Sequence, residues 1–325
     1  MRWNFHGLTI EGQTANASLH ERWQVSFASR PASAAAPDLT CVLNIVPAVP
    51  AAPDHEPQFR QGNLLDYYVD GESVIAHFPR FGQVRLDLAR GLTDGQITMA
   101  ALDTYGVLED LIAIALSPHL RRRGMFLIHA FAAGSPLPEG EGIGVRASPR
   151  AVLIVGDIGA GKTTTGLALL NAGWKLISND SPILRDTDVL SYPGLLAAYP
   201  DTYTRFPATA HLSTAQPAAE GRKKITVAAE SIWPEVWLER APVEAIVFPK
   251  IEARLEHALE PLSPPDALRL LLPHAIEQWD KAMIPAHLAM LSQLVQAAPA
   301  YRLRLAPEIR TLPPVFERAG IGNYG

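Results

Sequence analysis

A glycine-rich segment in the middle of the chain has the residue types and spacing of a phosphate-binding loop. It satisfies the pattern G-x-x-x-x-G-K-[ST] and reads Gly156-Asp157-Ile158-Gly159-Ala160-Gly161-Lys162-Thr163, followed by Thr164. The glycines let backbone N–H groups turn toward phosphate oxygens, Lys162 brings positive charge to the β- and γ-phosphates, and the Thr163 hydroxyl is a Mg²⁺ ligand. Residues 156–164 therefore predict a site for a nucleoside triphosphate, or a closely related ligand, bound with Mg²⁺.

An acidic residue stands where it can act on the same phosphates. Asp180 follows Asn179 directly after a predicted strand at 174–178. In a parallel sheet, the carboxyl end of this strand faces the same crevice as the glycine-rich segment. Two functional roles fit Asp180: it holds or orients Mg²⁺, or it is the general base that accepts a proton from an incoming hydroxyl. The alternative is a loop residue that caps the next turn.

Other polar residues are weaker candidates. His129 lies inside the apolar run 125–134, one predicted strand from the glycine-rich segment, where a lone histidine is more often a core residue than an active-site residue. Lys223 and Lys224 are either solvated loop lysines or groups that approach the phosphates. Asp201 is the nearest further acid that could reach Mg²⁺.

The elements around these residues are predicted from apolar runs and helical spacing. A helix at 163–173 separates the strands at 151–155 and 174–178, and a glycine- and proline-rich loop at 134–149 precedes them. Alternating buried strands and helices predict a parallel sheet with crossover connections. The remaining elements of this half are strands at 224–229, 243–251 and 300–306 and a helix at 263–272.

The first 120 residues have a different pattern. Strand-like runs alternate with turns and are followed by a helix at about 103–118, so we expect an N-terminal β-rich α+β domain at 1–120 and an ATP-binding domain at 121–325. The strand-like runs lie at 3–12, 39–49, 67–78 and 82–91. The segment Arg121-Arg122-Arg123-Gly124 is interpreted as a charged helix end with a glycine cap, or as a basic patch for a partner.

Composition limits the classes of function. The chain has 325 residues, 48% hydrophobic and 19% charged, which is a globular balance and matches about two domains by length. A net charge of -5 argues against a nucleic-acid binder. The single cysteine, Cys41, excludes an internal disulfide, and the apolar runs are too short to span a membrane. We expect a cytoplasmic protein with no nucleic-acid or membrane partner.

The segment from His129 to about residue 185 resembles the core of the HPr kinase/phosphorylase family and its HPr-kinase-related relatives, which share their nucleotide site with ATP-dependent phosphoenolpyruvate carboxykinases. The family pattern is a strand with a histidine, the loop G-D-S-G-x-G-K-[ST], a helix ending in glycine, and a strand ending in Asp-Asp. The matching residues are His129, the loop 156–163, Gly173 and Asp180. The resemblance continues more weakly to about residue 306.

The resemblance implies an α/β kinase core of HPr kinase type, with a P-loop on a parallel or mixed sheet and a smaller N-terminal domain. It implies that Asp180 accepts the proton of a substrate hydroxyl, that His129 and Lys162 are active-site residues, and that Thr163 binds Mg²⁺. Two departures stand out. Asn179 replaces the first acid of the pair, and the family's downstream R-G-x-G-x-x-[DN]-V signature is missing, which makes HPr itself a poor candidate substrate.

The main hypothesis from the sequence is therefore an ATP- and Mg²⁺-dependent kinase. Its acceptor is a hydroxyl, by hypothesis that of serine, on a peptide, a small protein or a free amino acid. A second copy of the chain is a further candidate partner. The alternatives are a nucleotide-binding regulatory or accessory protein with little turnover, which Asn179 favours, and a simple ATPase.

Overall fold

A computed structural model describes residues 1–136, 148–214 and 224–322 of the chain. These residues form mixed α/β structure, as the sequence predicts, with both parallel and antiparallel strand pairs. Across the described ranges, none of the helices combines the length and the apolar character that crossing a lipid bilayer requires.

The chain divides into two compact units. The first contains Met1–Met125 together with Glu277–Ile284, and the second contains Phe126–Ile276 and Pro285–Gly325. The boundary expected after residue 120 thus lies five residues earlier than the one in the structure. The structure also adds a separate later segment to the first unit, which no local sequence pattern indicates.

The first unit is built on one twisted sheet with the strand order β1-β2-β3-β8-β7-β6-β5-β4. Strands β2, β3 and β8 pair in parallel, and the other neighbours pair antiparallel. Its elements are β1 (Arg2–Phe5), β2 (Leu8–Gln13), α1 (Ala17–Ser26), β3 (Leu39–Ile45), β4 (Phe59–Gln61), β5 (Leu65–Asp70), β6 (Ser73–Phe78), β7 (Gly82–Asp87), β8 (Leu92–Ile97), α2 (Met99–Asp103) and α3 (Val107–Arg121).

Arginines at the end of α3 anchor the separate segment Glu277–Ile284 within the first unit. Arg121 Nε donates to Asp280 Oδ2 at 2.9 Å, and Arg122 donates to both Asp280 oxygens at 2.8 and 3.2 Å. The Arg121 guanidinium also lies 5.1 Å from the centre of the Trp279 ring, which stacks on Tyr67 at 4.5 Å. The Arg121 and Asp280 side chains are only 3% exposed. Arg121 is therefore a charged helix end, as expected, and its charge is buried against a carboxylate.

The second unit contains a larger mixed sheet with the order β12-β10-β11-β17-β14-β13-β9, extended by β19 and β18 from β17. The strands of the second unit are β9 (Phe126–Leu127), β10 (Ala130–Gly134), β11 (Ala151–Val155), β12 (Lys175–Ser178), β13 (Ile183–Arg185), β14 (Asp188–Leu190), β15 (Leu196–Ala198), β16 (Ile225–Val227), β17 (Arg240–Ile251), β18 (Ala258–Leu262) and β19 (Ala300–Leu305). Its helices are α4 (Lys162–Asn171), α5 (Pro200–Tyr203), α6 (Pro264–Ala275), α7 (Ile284–Ala297) and α8 (Pro313–Arg318).

The centre of this sheet is mixed. This agrees with the parallel or mixed sheet that the resemblance implies, whereas the parallel pairing expected from alternating strands and helices is found only in part. Strand β10 lies between β11 and β12 and runs antiparallel to both, whereas β11, β17 and β19 run parallel. Strands β11 and β12 therefore point in the same direction, as the helix α4 between them requires, but they are not neighbours. The prediction of a parallel pair from a crossover helix holds for β11 and β12, which α4 joins. It does not apply to β10 and β11, because the segment 134–149 before β11 has no helical pattern.

The apolar run 125–134, predicted as one strand, is broken in the structure. Its first part, β9, pairs with β13, and its second part, β10, begins at Ala130 and is buried on both faces. His129 lies in the break, where its N–H donates to the carbonyl of His274 at 2.8 Å. The prediction that His129 lies inside a strand is therefore wrong.

Helix α4 packs on β10 through a glycine. A Cβ atom at Gly166 would lie 2.4 Å from two ring carbons of Phe131, a fully buried residue of β10. Leu167 and Leu169 of α4 are also fully buried in the core of the second unit. The close approach fixes the distance between α4 and the sheet, and so places the start of α4 at the sheet edge.

We expect Gly166→Ala to destabilise the protein, although a glycine-to-alanine change at an exposed helix position typically stabilises the helix by about 1 kcal/mol. The added methyl group overpacks the Phe131 ring, which typically costs ~1–3 kcal/mol. The measurement is the free energy of unfolding in denaturant. The double variant Gly166→Ala/Phe131→Leu should lose less than the sum of the two single variants. A stabilised Gly166→Ala protein would contradict this packing.

Candidate active site

Three chain segments meet at one edge of the sheet of the second unit. His129 comes just before β10, the segment Gly156–Gly161 follows β11, and Asp180 follows β12. Because β10 is antiparallel to both neighbours, its beginning lies at the edge where the other two strands end. The Ala130 N–H donates to the Asp180 carbonyl at 3.0 Å and ties two of the segments together.

The segment Gly156–Gly161, called here the glycine loop, turns tightly into α4. Gly159 and Gly161 have φ angles of 84° and 103°, which side-chain-bearing residues rarely adopt. A Cβ atom at Gly161 would also lie 2.6 Å from Leu305 Cδ1. Gly161 precedes the first turn of α4 and, as a glycine, has no side chain that could cap the helix. The first N–H groups of the helix therefore point out of its end without intrahelical acceptors.

Lys162, the first residue of α4, is folded back onto the glycine loop and is only 7% exposed. Its Nζ lies 2.6 Å from the Gly156 carbonyl oxygen, 3.2 Å from the Asp157 carbonyl oxygen and 3.0 Å from His129 Nε2. Burial lowers the pKa of Lys162, and the negative charge of Asp180 opposes that shift. The sheet edge thus holds a buried lysine that is linked directly to the histidine.

His129 connects Lys162 to Asp180. Its Nδ1 lies 3.3 Å from Asp180 Oδ1, on the side of the ring opposite the lysine. Burial lowers the pKa of His129, while the Asp180 carboxylate raises it and the charge of Lys162 lowers it further. The side chains of His129 and Asp180 are 40% and 56% exposed, so solvent and solutes reach both groups.

A second histidine belongs to the cluster, and no sequence pattern indicates it. His274 lies in the last turn of α6, and its ring centre is 6.4 Å from that of His129. Its Nε2 is 3.8 Å from Asp157 Oδ1 in the glycine loop, and burial lowers its pKa. Its position depends on the hydrogen bond from the His129 N–H to its carbonyl oxygen, which joins two residues far apart in the sequence.

The remaining candidate residues around the glycine loop lie at its surface and in the first turn of α4. Thr163 and Thr164 lie in the first turn of α4 and are half-buried, and Asp157 and Ile158 of the glycine loop have exposed side chains. Ala160 donates its N–H to the Asp157 carbonyl at 3.1 Å.

Lys224 contributes a second positive charge near the site. Its charge lowers the pKa of His129 and of Lys162, and its Nζ lies 5.8 Å from the Tyr199 ring centre. Lys223 lies outside the described residues. Asp201 is exposed in the short helix α5. Among the residues that the structure describes, no group of three or more His, Cys, Asp and Glu side chains is arranged to hold a metal ion.

The arrangement combines a positively charged helix start, a buried lysine and a carboxylate beside an imidazole. Such a set can bind an anion at the helix start and move a proton at its edge. No protein-family model and no curated protein matches this chain.

We expect the pKa of His129 to lie below the ordinary histidine value of about 6.5, because burial disfavours the imidazolium form. Asp180→Asn removes a charge that raises this pKa and should lower it further, whereas Lys162→Met removes a charge that lowers it and should raise it. An NMR titration of the ring protons measures both shifts, with His129→Gln to assign the signal. Two shifts of the same sign would contradict the geometry of this cluster.

Proposed function

We propose that this protein is an ATP- and Mg²⁺-dependent kinase of the HPr-kinase-like P-loop type, which transfers the terminal phosphoryl group to a hydroxyl. The acceptor we propose is the hydroxyl of a serine in a peptide, a small protein or the free amino acid. The observation that carries the proposal is the position of the buried Lys162 at the open start of α4, with the half-exposed carboxylate of Asp180 at the same sheet edge.

The glycine loop fits a triphosphate. The uncapped first turn of α4 offers backbone N–H groups and the positive end of the helix dipole to an anion. Lys162 donates to two carbonyl oxygens of the glycine loop, and negatively charged phosphate oxygens are stronger acceptors for the same protons. In the proposed complex Lys162 exchanges these carbonyls for phosphate oxygens, and Lys224 adds positive charge nearby.

The donors for Mg²⁺ are few, which suits this ion. Magnesium typically keeps several waters and takes one or two protein oxygens besides the substrate phosphates, so it needs no cage of acidic residues. The Thr163 hydroxyl, beside Lys162 in the first turn of α4, and the Asp180 carboxylate are the proposed protein ligands. When bound, the ion neutralises charge on the phosphates during transfer.

Asp180 is the proposed general base. A carboxylate within hydrogen-bond reach of a hydroxyl orients it and takes its proton as the oxygen attacks. The exposed half of the Asp180 side chain leaves room for an acceptor, while Oδ1 faces His129 Nδ1 and is held in place by it. Catalysis then consists mainly of positioning and electrostatic stabilisation.

One observation favours a second function, a nucleotide-binding regulatory protein with little turnover. Asn179 stands beside Asp180, where the kinases that the chain resembles have an acid, and its Oδ1 is a buried atom with no hydrogen-bond partner among the described residues. An amide there carries no negative charge, so it binds Mg²⁺ more weakly than a carboxylate. Such a protein would bind ATP and release it unchanged, and an ATPase without an acceptor would pass the phosphoryl group to water.

We expect Lys162→Ala to abolish thermal stabilisation by ATP and Mg²⁺, because Lys162 is the proposed contact of the phosphates. With ligand at a hundredfold excess over Kd, the wild-type protein should gain ~2.7 kcal/mol. The matched control is Lys175→Ala, at the other end of β12 from Asp180, which should keep the full ATP-induced shift in Tm. An equal shift in Lys162→Ala would overturn the nucleotide site.

We expect Asp180→Asn to reduce phosphoryl transfer by a factor of ~10² or more with only a modest change in ATP affinity, because the substitution keeps the size and removes the base. Turnover is measured with radiolabelled ATP and affinity by calorimetry on the same samples. Equal losses in Mg²⁺·ATP affinity and turnover would make Asp180 a metal ligand rather than a base. Full turnover in this variant would contradict the kinase mechanism.

A further inference from the structure

Both ring nitrogens of His129 have a partner, and the partners determine which nitrogen carries the proton. In its ammonium form Lys162 has three protons and no lone pair, and three acceptors surround its Nζ: two loop carbonyl oxygens and His129 Nε2. His129 Nε2 must therefore accept, so its lone pair points at Lys162. The ring proton then lies on Nδ1 and points at Asp180 Oδ1, 3.3 Å away.

A carboxylate can accept a hydrogen bond from one ring nitrogen of an imidazole while the lone pair of the other nitrogen faces the reacting atoms. This arrangement activates the ring for proton transfer or nucleophilic attack. The reaction centre is implied by the lysine. Lys162 Nζ is 3.0 Å from His129 Nε2 and is the group that the proposed function places on the phosphates. When Lys162 turns to the phosphates, the lone pair of Nε2 is released beside them.

We propose that His129 is itself a phosphoryl acceptor, and that the protein forms a phosphohistidine on Nε2 from ATP before the group passes to the hydroxyl. This inference rests on the proposed nucleotide site and adds a covalent step to it. The half-exposed ring gives the terminal phosphorus access to the nitrogen, and the nearby positive charges of Lys162 and Lys224 offset the charge of the bound phosphoryl group.

In the first step the lone pair of Nε2 forms an N–P bond. The bond between the terminal phosphorus and the bridging oxygen breaks, and its electron pair leaves on ADP. The imidazole becomes a cation that keeps its proton on Nδ1, where the Asp180 carboxylate stabilises it. In the second step the acceptor hydroxyl attacks the phosphorus, the electron pair of the N–P bond returns to Nε2, and the hydroxyl proton goes to Asp180.

The neighbouring His274 lacks the features that mark His129. Its Nε2 faces Asp157 Oδ1 at 3.8 Å, and among the described residues no hydrogen bond joins it to Lys162. Its backbone carbonyl accepts from the His129 N–H, and its ring centre lies 6.4 Å from that of His129. Of the two imidazoles, only His129 joins the lysine to a carboxylate.

The test uses the full-length protein with Mg²⁺ and ATP labelled on the terminal phosphate, without an acceptor. We expect protein-bound label that is lost in acid and stable in alkali, the opposite of phosphoserine, and mass spectrometry under alkaline conditions should locate it on His129. In a second assay with unlabelled ATP and ADP labelled in its adenosine part, we also expect label to move from ADP into ATP. Direct transfer to a hydroxyl cannot produce this exchange when the hydroxyl is absent. Calorimetry on the same sample measures ATP binding separately.

His129→Gln should lose both the label and the exchange while it still binds ATP, because the amide lacks a nucleophilic nitrogen. The matched control is His55→Gln, an exposed histidine of the first unit, which should keep both. Acid-stable label, or label on His274, would overturn the inference. ATP binding with neither label nor exchange in the wild-type protein would overturn it too, yet would leave the nucleotide site in place. Absence of ATP binding would overturn the proposed function and this inference together.

Discussion

A buried ammonium group needs an acceptor for each of its protons, and the candidate site is organised around this requirement at Lys162. The glycine loop turns two carbonyl oxygens inward to meet the ammonium, and His129 supplies the third acceptor. The histidine is thereby oriented, and its other nitrogen is directed at Asp180. If one acceptor were lost, a charge-bearing proton would be left unpaired on a side chain that is only 7% exposed.

The sheet order supplies the framework for this arrangement. Because β10 runs antiparallel between β11 and β12, the residue before it and the residues after its neighbours share one edge. An all-parallel sheet would place the start of the histidine strand at the opposite edge. Gly166 then brings α4 close enough to the Phe131 ring for its first turn to stand over that edge.

Local patterns predicted the parts that local residues determine. The buried strands, the helix after the glycine loop and the positions of Lys162 and Asp180 at strand or loop ends follow from apolar runs and spacing, and they are present in the structure. The direction of β10, the break at His129 and the place of His274 depend on partners far along the chain, such as the bond from the His129 N–H to the His274 carbonyl. The pairing of Arg121 could not be predicted for the same reason, because its partner Asp280 lies 159 residues away.

The segment Glu277–Ile284 has a consequence for how the polypeptide matures on the ribosome. Most of the first unit is synthesised first, but Arg121 and Arg122 receive their buried carboxylate only after the whole stretch Phe126–Ile276 has emerged. Until then, the guanidinium groups of Arg121 and Arg122 lack their partner Asp280, and the Tyr67 ring lacks the stacked ring of Trp279. The N-terminal part of the nascent chain therefore reaches its final stability late. In a protein truncated before residue 277, the first unit would lack the segment Glu277–Ile284 altogether.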